Sequence, residues 1–327
     1  MLKNKMIKNI TFFFLVLLLV IGIFVNVAAA QQYNFSLGHV GSVDTDRHLA
    51  ALEVKKVLEE KTNGQATITI FPSGQLGDWP EMIEGLQMRT IDIVIESIGS
   101  LSPHDPIVGI ESMPYLFKDM EDYLKVWYGP IGQEIINKVA NEANYLCIGH
   151  LARGARQLTA NKPIEKLEDL QGFKMRVSPM KERIVTWTVL GASPTPMGWT
   201  EVFTALDQGV IDGQENPLDT IYNDSIYEVQ DYLILTSHMI SGFTFMFNNN
   251  YFNSLPENIQ QALREAIKAG ETFFNERVVK EDERLLELLK KEGMIVISPD
   301  LEPWRERTKK VVDEFPDLKP WYDKITG

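Results

Sequence analysis

The chain has 327 residues, 44% of them hydrophobic and 24% charged, which supplies enough apolar side chains for a core and excludes wholesale disorder. At this length two lobes or domains are expected. Thirty-two Lys and Arg against 45 Asp and Glu leave a net charge of −13; with no basic tract beyond the N-terminal lysines, a nucleic-acid-binding surface is excluded.

Lys3, Lys5 and Lys8 precede an apolar run from Ile10 to Val27, and Ala28-Ala29-Ala30 supplies the small residues that a signal peptidase accepts. Residues 1–30 are therefore expected to be a cleaved export signal, giving a periplasmic or other extracytoplasmic protein. An uncleaved anchor is the alternative, because about 18 apolar residues approach the length of a bilayer span. No cysteine follows the run to carry a lipid. Loss of the three lysines takes the charge from −13 to −16 for residues 31–327, which favours solubility.

Residues 35–40 read as a strand. Asp44, Thr45 and Asp46 can cap a helix from Arg47 to Thr62, which Asn63-Gly64 stops in a left-handed turn. A strand over 66–71 ends at Pro72; a helix over 80–88 and a strand over 91–95 complete a βαβ unit, expected to be parallel and right-handed. Its last strand delivers Glu96. Helices are expected over about 119–143 and a strand over 145–151. Cys147 lies in that apolar run, without an intrachain disulfide partner, and reads as a small core residue. No Cys/His spacing has the form of a zinc site, and neither metal nor other cofactor is expected.

A second unit of the same plan starts near Phe173, with a strand over 174–177, a helix over 180–190, a proline-rich turn through Pro194 and Pro196, a helix over 200–208 and a strand over 210–212. It delivers Gln214-Glu215-Asn216-Pro217. Phe243–Phe247 is a further strand candidate. From Glu257 to about Glu292 a helical pattern continues, roughly 50 Å at 1.5 Å per residue, long enough to brace two lobes.

Open α/β sheets bind ligands at the carboxyl ends of their strands. There the sequence places Glu96, Arg176 and Asn216. An arginine inside an apolar strand needs a partner, because an unpaired buried guanidinium is costly. Arg176 is either in an internal ion pair, with Glu215 or Asp212, or gripping a ligand carboxylate with its planar fork. Arg153 and Arg156 flank Gly154-Ala155 and read by default as solvated loop arginines. Asn216 either caps the helix after Pro217 or offers its amide to a ligand. Trp199 is core or the apolar face of a sugar-sized pocket. Enzyme motifs are absent: there is no nucleophile elbow, no phosphate-cradling Gly-rich loop and no paired-histidine helix motif, and the five histidines are scattered at 39, 48, 104, 150 and 238.

Five segments carry a resemblance: Phe71-Pro72-Ser73-Gly74-Gln75-Leu76-Gly77-Asp78, Gly154-Ala155-Arg156-Gln157, Lys174-Met175-Arg176-Val177, Gly191-Ala192-Ser193-Pro194-Thr195-Pro196-Met197 and Asp212-Gly213-Gln214-Glu215-Asn216-Pro217. Together they resemble the extracytoplasmic solute-binding proteins of TRAP-type tripartite transporters, over about residues 33–320. The resemblance implies a two-lobed α/β fold of the periplasmic-binding-protein kind, with a ligand cleft between the lobes and a long helix bracing both. It implies hinge closure on an organic acid, no catalysis, and delivery to a TRAP membrane permease.

By the same resemblance Arg176 pairs with the ligand carboxylate, Arg156 and Asn216 are further ligand contacts, and Trp199 and Glu96 line the cleft. The lobes are expected to comprise residues 31–153 with about 242–281, and 154–241 with about 282–327; a monomer is expected. Relatives that bind sialic acid carry polar or acidic residues where Val40 and Trp79 stand here, which disfavours that ligand. Trp199, with Trp79 and His39 near the cleft, suits stacking on a smaller sugar acid, a hexuronate such as glucuronate or galacturonate. A C4-dicarboxylate or another carboxylate is the alternative, as is an exported enzyme acting on sugar acids.

Overall fold

The computed structural model describes residues 32–327; the expected export signal lies outside the described residues. The N-terminal βαβ pattern is present as β1 (Tyr33–Gly38), α1 (Asp46–Lys61), β2 (Ala66–Phe71), α2 (Trp79–Met88) and β3 (Ile93–Glu96). β1 pairs in parallel with both β2 and β3. Asn63 and Gly64 stop α1 with φ of 50° and 77°, the second costing nothing because glycine has no Cβ to clash. Asp78 caps α2 by accepting from the Trp79 amide at 2.7 Å.

The helical stretch expected over 119–143 is broken at Gly129 into α3 (Met120–Tyr128) and α4 (Pro130–Glu142). A Cβ on the nearby Gly132 would stand 2.4 Å from the Trp127 Cα, so this tight corner requires glycine. β4 (Tyr145–Ala152) and β10 (Gly242–Asn248) complete the first sheet, in the order β2-β1-β3-β10-β4. Cys147 is buried in β4, as its apolar setting implies.

The second sheet contains β5 (Gln157–Ala160), β6 (Lys174–Val177), β7 (Ser193–Pro196), β8 (Gly213–Asn216), β9 (Tyr232–Ile234) and β11 (Ile295–Ile297), in the order β11-β9-β5-β8-β6-β7. Around it stand α5 (Lys181–Leu190), α6 (Val202–Asp207) and α7 (Leu218–Asn223), while α8 (Asn249–Ser254) follows β10. Two expectations shift here. The proline-rich segment is the edge strand β7, where a missing N–H costs no ladder bond. The strand expected over 210–212 lies instead over 213–216. Apolar patterning favours Val210 and Ile211, yet Val210 is exposed while Gly213, Gln214, Glu215 and Asn216 are all buried.

Helix α9 (Glu257–Lys291) runs 35 residues, about 52 Å at the α-helical rise. Its first half buries Ile259, Leu263, Ile267 and Phe274 with Phe245 and Phe247 of the first sheet, at i, i+4 and i+7 spacing. Its second half buries Leu285 and Leu289 with Leu206 and Leu233 of the second lobe. Each such side chain contributes about 1.5–3 kcal/mol on burial, so the brace is anchored at both ends. At Gly270 a Cβ would meet Val54 at 2.4 Å, which lets α9 lie directly on α1. Near the C-terminus, Val311, Val312, Phe315 and Leu318 join Val94, Tyr123, Trp127 and Val139 under the first sheet. The sequence reading assigns everything after residue 282 to the second lobe; this last segment packs on both, since Met180 belongs to the same cluster and Lys181 lies over the Phe315 ring.

Candidate functional site

Between the two lobes lies a cavity lined from both sides, the kind of inter-lobe setting in which small-molecule sites occur. Arg176, Arg156, Asn216, Trp199, Glu96 and Trp79 all line it, as do Val40 and Arg153. His39 does not. It is fully buried, with its Nε2 3.2 Å from His48 Nδ1; burial, then Arg47 and His48, push its pKa down to about 2, so it is neutral. Its expected place beside the ligand is therefore corrected to one behind the wall.

Arg176, on β6, is 2% exposed. Its Nε and Nη2 donate to the Met197 carbonyl at 3.1 and 2.8 Å, and its Cζ lies 5.2 Å from the Trp199 ring centroid. Neither acid proposed from sequence pairs with it. Asp212 accepts from the Lys174 backbone amide at 2.8 Å, and Glu215 is engaged elsewhere. Burial lowers the guanidinium pKa to about 10, which leaves it charged at neutral pH. Among the described residues no hydrogen bond uses its Nη1.

Glu215, on β8, is a buried hub. Its carboxylate accepts from Arg156 Nε and from Arg156 Nη2 at 3.0 Å, from Arg183 Nη1 at 2.9 Å, and contacts His238 Nε2 at 3.1 Å. Burial alone would raise its pKa, but Arg156, Arg183 and His238 outweigh that and hold it well below the usual carboxylate range. Arg156 Nη2 also donates to Asn216 Oδ1 at 2.8 Å, and Asn216 Nδ2 to Gln214 Oε1 at 2.7 Å. Gln214 continues to Thr159 and Thr159 to Gln230, at 3.1 and 2.9 Å. A strand as polar as Gly-Gln-Glu-Asn can be buried because these side chains satisfy one another. Asn216 thus does not cap α7, whose N-cap is Pro217, and its amide donates one hydrogen bond within this chain while lining the cavity.

On the first lobe's side, Arg47 Nη1 and Glu96 Oε2 pair at 3.1 Å, and the Ser97 amide donates to Glu96 Oε1 at 2.9 Å. Arg153 is 5% exposed, so its default reading as a solvated loop residue is overturned, as is that of Arg156. The Arg153 Nη2 donates to Thr220 Oγ1 of α7 at 2.7 Å. Both Arg47 and Arg153 lie over the Phe243 ring, with Cζ 3.7 and 4.2 Å from its centroid. Trp199 Nε1 donates to Asp224 Oδ2 at 2.9 Å, which fixes the indole against the cavity.

The lobes also bond directly across the mouth. The Thr200 amide and hydroxyl donate to Asp78 Oδ2, and the Ser42 amide donates to Asp224 Oδ1 at 3.1 Å. Sequence reasoning missed Arg47, Arg183, Asp219 and Asp224 as cavity residues. Lys181-Glu182-Arg183 reads as a solvated helix turn, and Arg47 as a helix-start charge; only tertiary partners distant in the chain, Glu215 and Glu96, account for the burial of Arg183 and Arg47. Among the described residues, no cluster of three or more His, Cys, Asp or Glu is placed to hold a metal ion. With five arginines against three acids on its wall, the cavity is suited to bind an anion with many oxygens.

Residues 37–317 match the model of the bacterial extracellular solute-binding protein family 7. The sialic acid-binding periplasmic protein of Vibrio cholerae is 30% identical over 292 residues, 88% of this chain and 91% of that one. The crystal structure of a TRAP periplasmic solute-binding protein from Roseobacter denitrificans with bound L-galactonate superposes with a TM-score of 0.88 at 31% identity, covering 91% of this chain and 99% of that one. Another from Xanthobacter autotrophicus, with bound β-D-galacturonate, gives 0.84 at 30% identity, covering 90% and 99%.

Proposed function

We propose that this chain, which belongs to family 7 of the bacterial extracellular solute-binding proteins, the binding proteins of TRAP transporters, captures a hexuronate and passes it to its membrane permease. The observation that carries this reading is Arg176: a buried guanidinium with no carboxylate within 4.0 Å among the described residues, one nitrogen uncommitted, and an indole beside it. The ligand carboxylate pairs with that nitrogen. Trp199 and Trp79 offer apolar faces to the C–H side of a sugar ring, and Asn216, Glu96 and the neighbouring hydroxyls bond its oxygens. Relatives holding galacturonate and galactonate support a six-carbon sugar acid of this kind.

The protein works by closure and without turnover. The ligand engages one lobe, and contacts from the other stabilise the closed population. We take the lobes to divide at 153/154 and 241/242, with α9 crossing between them, and the working form to be an exported periplasmic monomer. A desolvated carboxylate clamp with several neutral hydrogen bonds corresponds to roughly micromolar to nanomolar affinity, once the costs of association and closure are subtracted.

A thermal-shift screen of the exported protein against uronates, aldonates, C4-dicarboxylates, sialic acid and aromatic acids tests this. A ligand at about 100 times its dissociation constant stabilises by about 2.7 kcal/mol. A shift with glucuronate or galacturonate, and none with sialic or aromatic acids, is expected. Stabilisation by C4-dicarboxylates alone would refute the hexuronate reading.

A further inference from the structure

Three of the five arginines on the cavity wall have their charge answered by a carboxylate: Arg47 by Glu96, and Arg156 and Arg183 by Glu215. Arg176 and Arg153 have no carboxylate oxygen within 4.0 Å among the described residues. Arg176 has a task, the ligand clamp. Arg153 does not, although it is nearly as deeply buried.

The protein compensates Arg153 poorly. It has one hydrogen bond to a neutral hydroxyl, Thr220 Oγ1, and one aromatic face, Phe243. Desolvating a guanidinium costs several kcal/mol, more than those two contacts return. Burial, reinforced by Arg156 and Arg47, drives its pKa well below the usual arginine value against the pull of Glu96 and Asp219.

The acids without a cation do not fill the gap. Asp219 Oδ1 accepts from the Asp46 amide at 3.4 Å and from Asn223 Nδ2 at 2.7 Å. Asp224 accepts from Trp199 and Ser42. Asp224 is half-buried, and Asp219 is a weak counter-charge: burial and then Asp46 raise its pKa to about 6 against the pull of Arg153. Arg156 acts electrostatically on both isolated guanidiniums, joined by Arg47 at Arg153 and by Arg183 at Arg176. Arg153 is held against Thr220 and Phe243 and Arg176 against Met197 and Trp199, so the two reach the one cavity from different parts of its wall.

We infer that Arg153 is a second carboxylate-binding residue, so that the cavity takes six-carbon sugar diacids held at one end by Arg176 and at the other by Arg153, in preference to the matching aldonates. This rests on the reading of Arg176 as a carboxylate clamp. A hexuronate fills the same space, but its far end is a neutral hemiacetal and meets Arg153 through a weaker, uncharged bond. A diacid supplies the missing counter-charge. Its fork-to-carboxylate geometry is the one that guanidinium groups favour.

Calorimetry with galactarate, galacturonate and galactonate on the exported protein and its Arg153→Gln variant tests the assignment. Galactarate should bind at least about tenfold more tightly than galactonate, the step that about 1.4 kcal/mol represents. Arg153→Gln should remove that preference, costing galactarate at least about tenfold and galactonate less than about threefold. The unliganded variant should melt no lower than the parent, because it loses an unanswered charge. Arg153→Lys, which keeps the charge and loses the fork, carries the test should the glutamine variant not fold; it should retain the diacid preference in reduced form.

Equal weakening of all three acids by Arg153→Gln, or no diacid preference in the parent, overturns the inference. Galactarate binding that is indifferent to Arg153→Gln, while galacturonate binding is lost in Arg176→Lys, overturns it and leaves the uronate reading intact. Affinity unchanged by Arg176→Lys removes the clamp itself, and the inference with it.

Discussion

Asp78, in the first lobe, accepts two hydrogen bonds from Thr200 in the second, from its amide at 2.9 Å and from its hydroxyl at 3.1 Å, both on Oδ2. The same carboxylate caps α2 through Oδ1. One side chain therefore ties the ordering of a helix start to contact between the lobes. The contact is close because residue 198 is a glycine, where a Cβ would stand 2.5 Å from Asp78 Oδ2.

Gly198→Ala should therefore obstruct closure without disturbing either lobe, since Gly198 has an ordinary φ of −59°. A closed state disfavoured by about 1.4–3 kcal/mol weakens ligand binding about 10- to 100-fold. Calorimetry would read the affinity, and small-angle scattering the ligand-induced compaction. Unaltered values for both would show that the alanine is accommodated and that this contact does not gate closure.

Arg176→Lys keeps a cation and loses the fork. With Nε and Nη2 already committed to the Met197 carbonyl, the lysine must leave that carbonyl or the ligand with a poorer bond. Affinity for the preferred acid should fall about 10- to 100-fold, with the unliganded unfolding midpoint little changed. Unchanged affinity in a folded variant would dismiss the carboxylate clamp.

Glu215→Gln should act mainly on stability. It leaves Arg156 and Arg183, both buried, facing a neutral amide. Removing one partner from a buried ionic cluster costs about 3–5 kcal/mol. Urea unfolding would measure it, and a loss under about 1 kcal/mol would mean that the cluster relaxes or hydrates. Binding should fail as well, because Arg156 and Asn216 are positioned through this carboxylate.

His150 makes the acid side of the stability profile testable. Burial, then Lys268, lowers its pKa to about 4, against about 6.5 in the unfolded chain. Between those values the unfolded chain binds more protons, so this contribution is complete above pH 6.5 and is lost as pH falls towards 4. The slope is about 1.4 kcal/mol per pH unit. His150→Gln should flatten the loss of stability between pH 6.5 and 4.5 by roughly 2 kcal/mol. Equal slopes for parent and variant would show that His150 is not held neutral in the folded protein.

Much of the fold was readable because it rests on local rules. Alternating apolar residues mark β1 and β2, Asn63-Gly64 marks the end of α1, and 35 residues without a break mark α9. The displaced strand shows where such reading stops. Gly213–Asn216 carries no apolar pattern, and its burial depends on partners from β5, α5 and the segment around His238. Arg47 and Arg183 look like solvated helix residues for the same reason: their burial is a property of what packs over them.

By itself, then, the sequence determined the class of the molecule, and its resemblance singled out Arg156, Arg176, Asn216, Trp199 and Glu96, all of which line the cavity, through motifs whose residues are near in the chain. Only the tertiary structure decided how the charges pair. Glu215 answers Arg156 and Arg183 and leaves Arg176 open, because the pairing depends on distances between side chains 32 to 59 positions apart. It likewise placed His39 behind the wall and Arg153 inside it. Burial and ion pairing are properties of three-dimensional neighbourhoods, and in a two-lobed chain that crosses between its sheets those neighbourhoods are assembled from segments no local pattern connects.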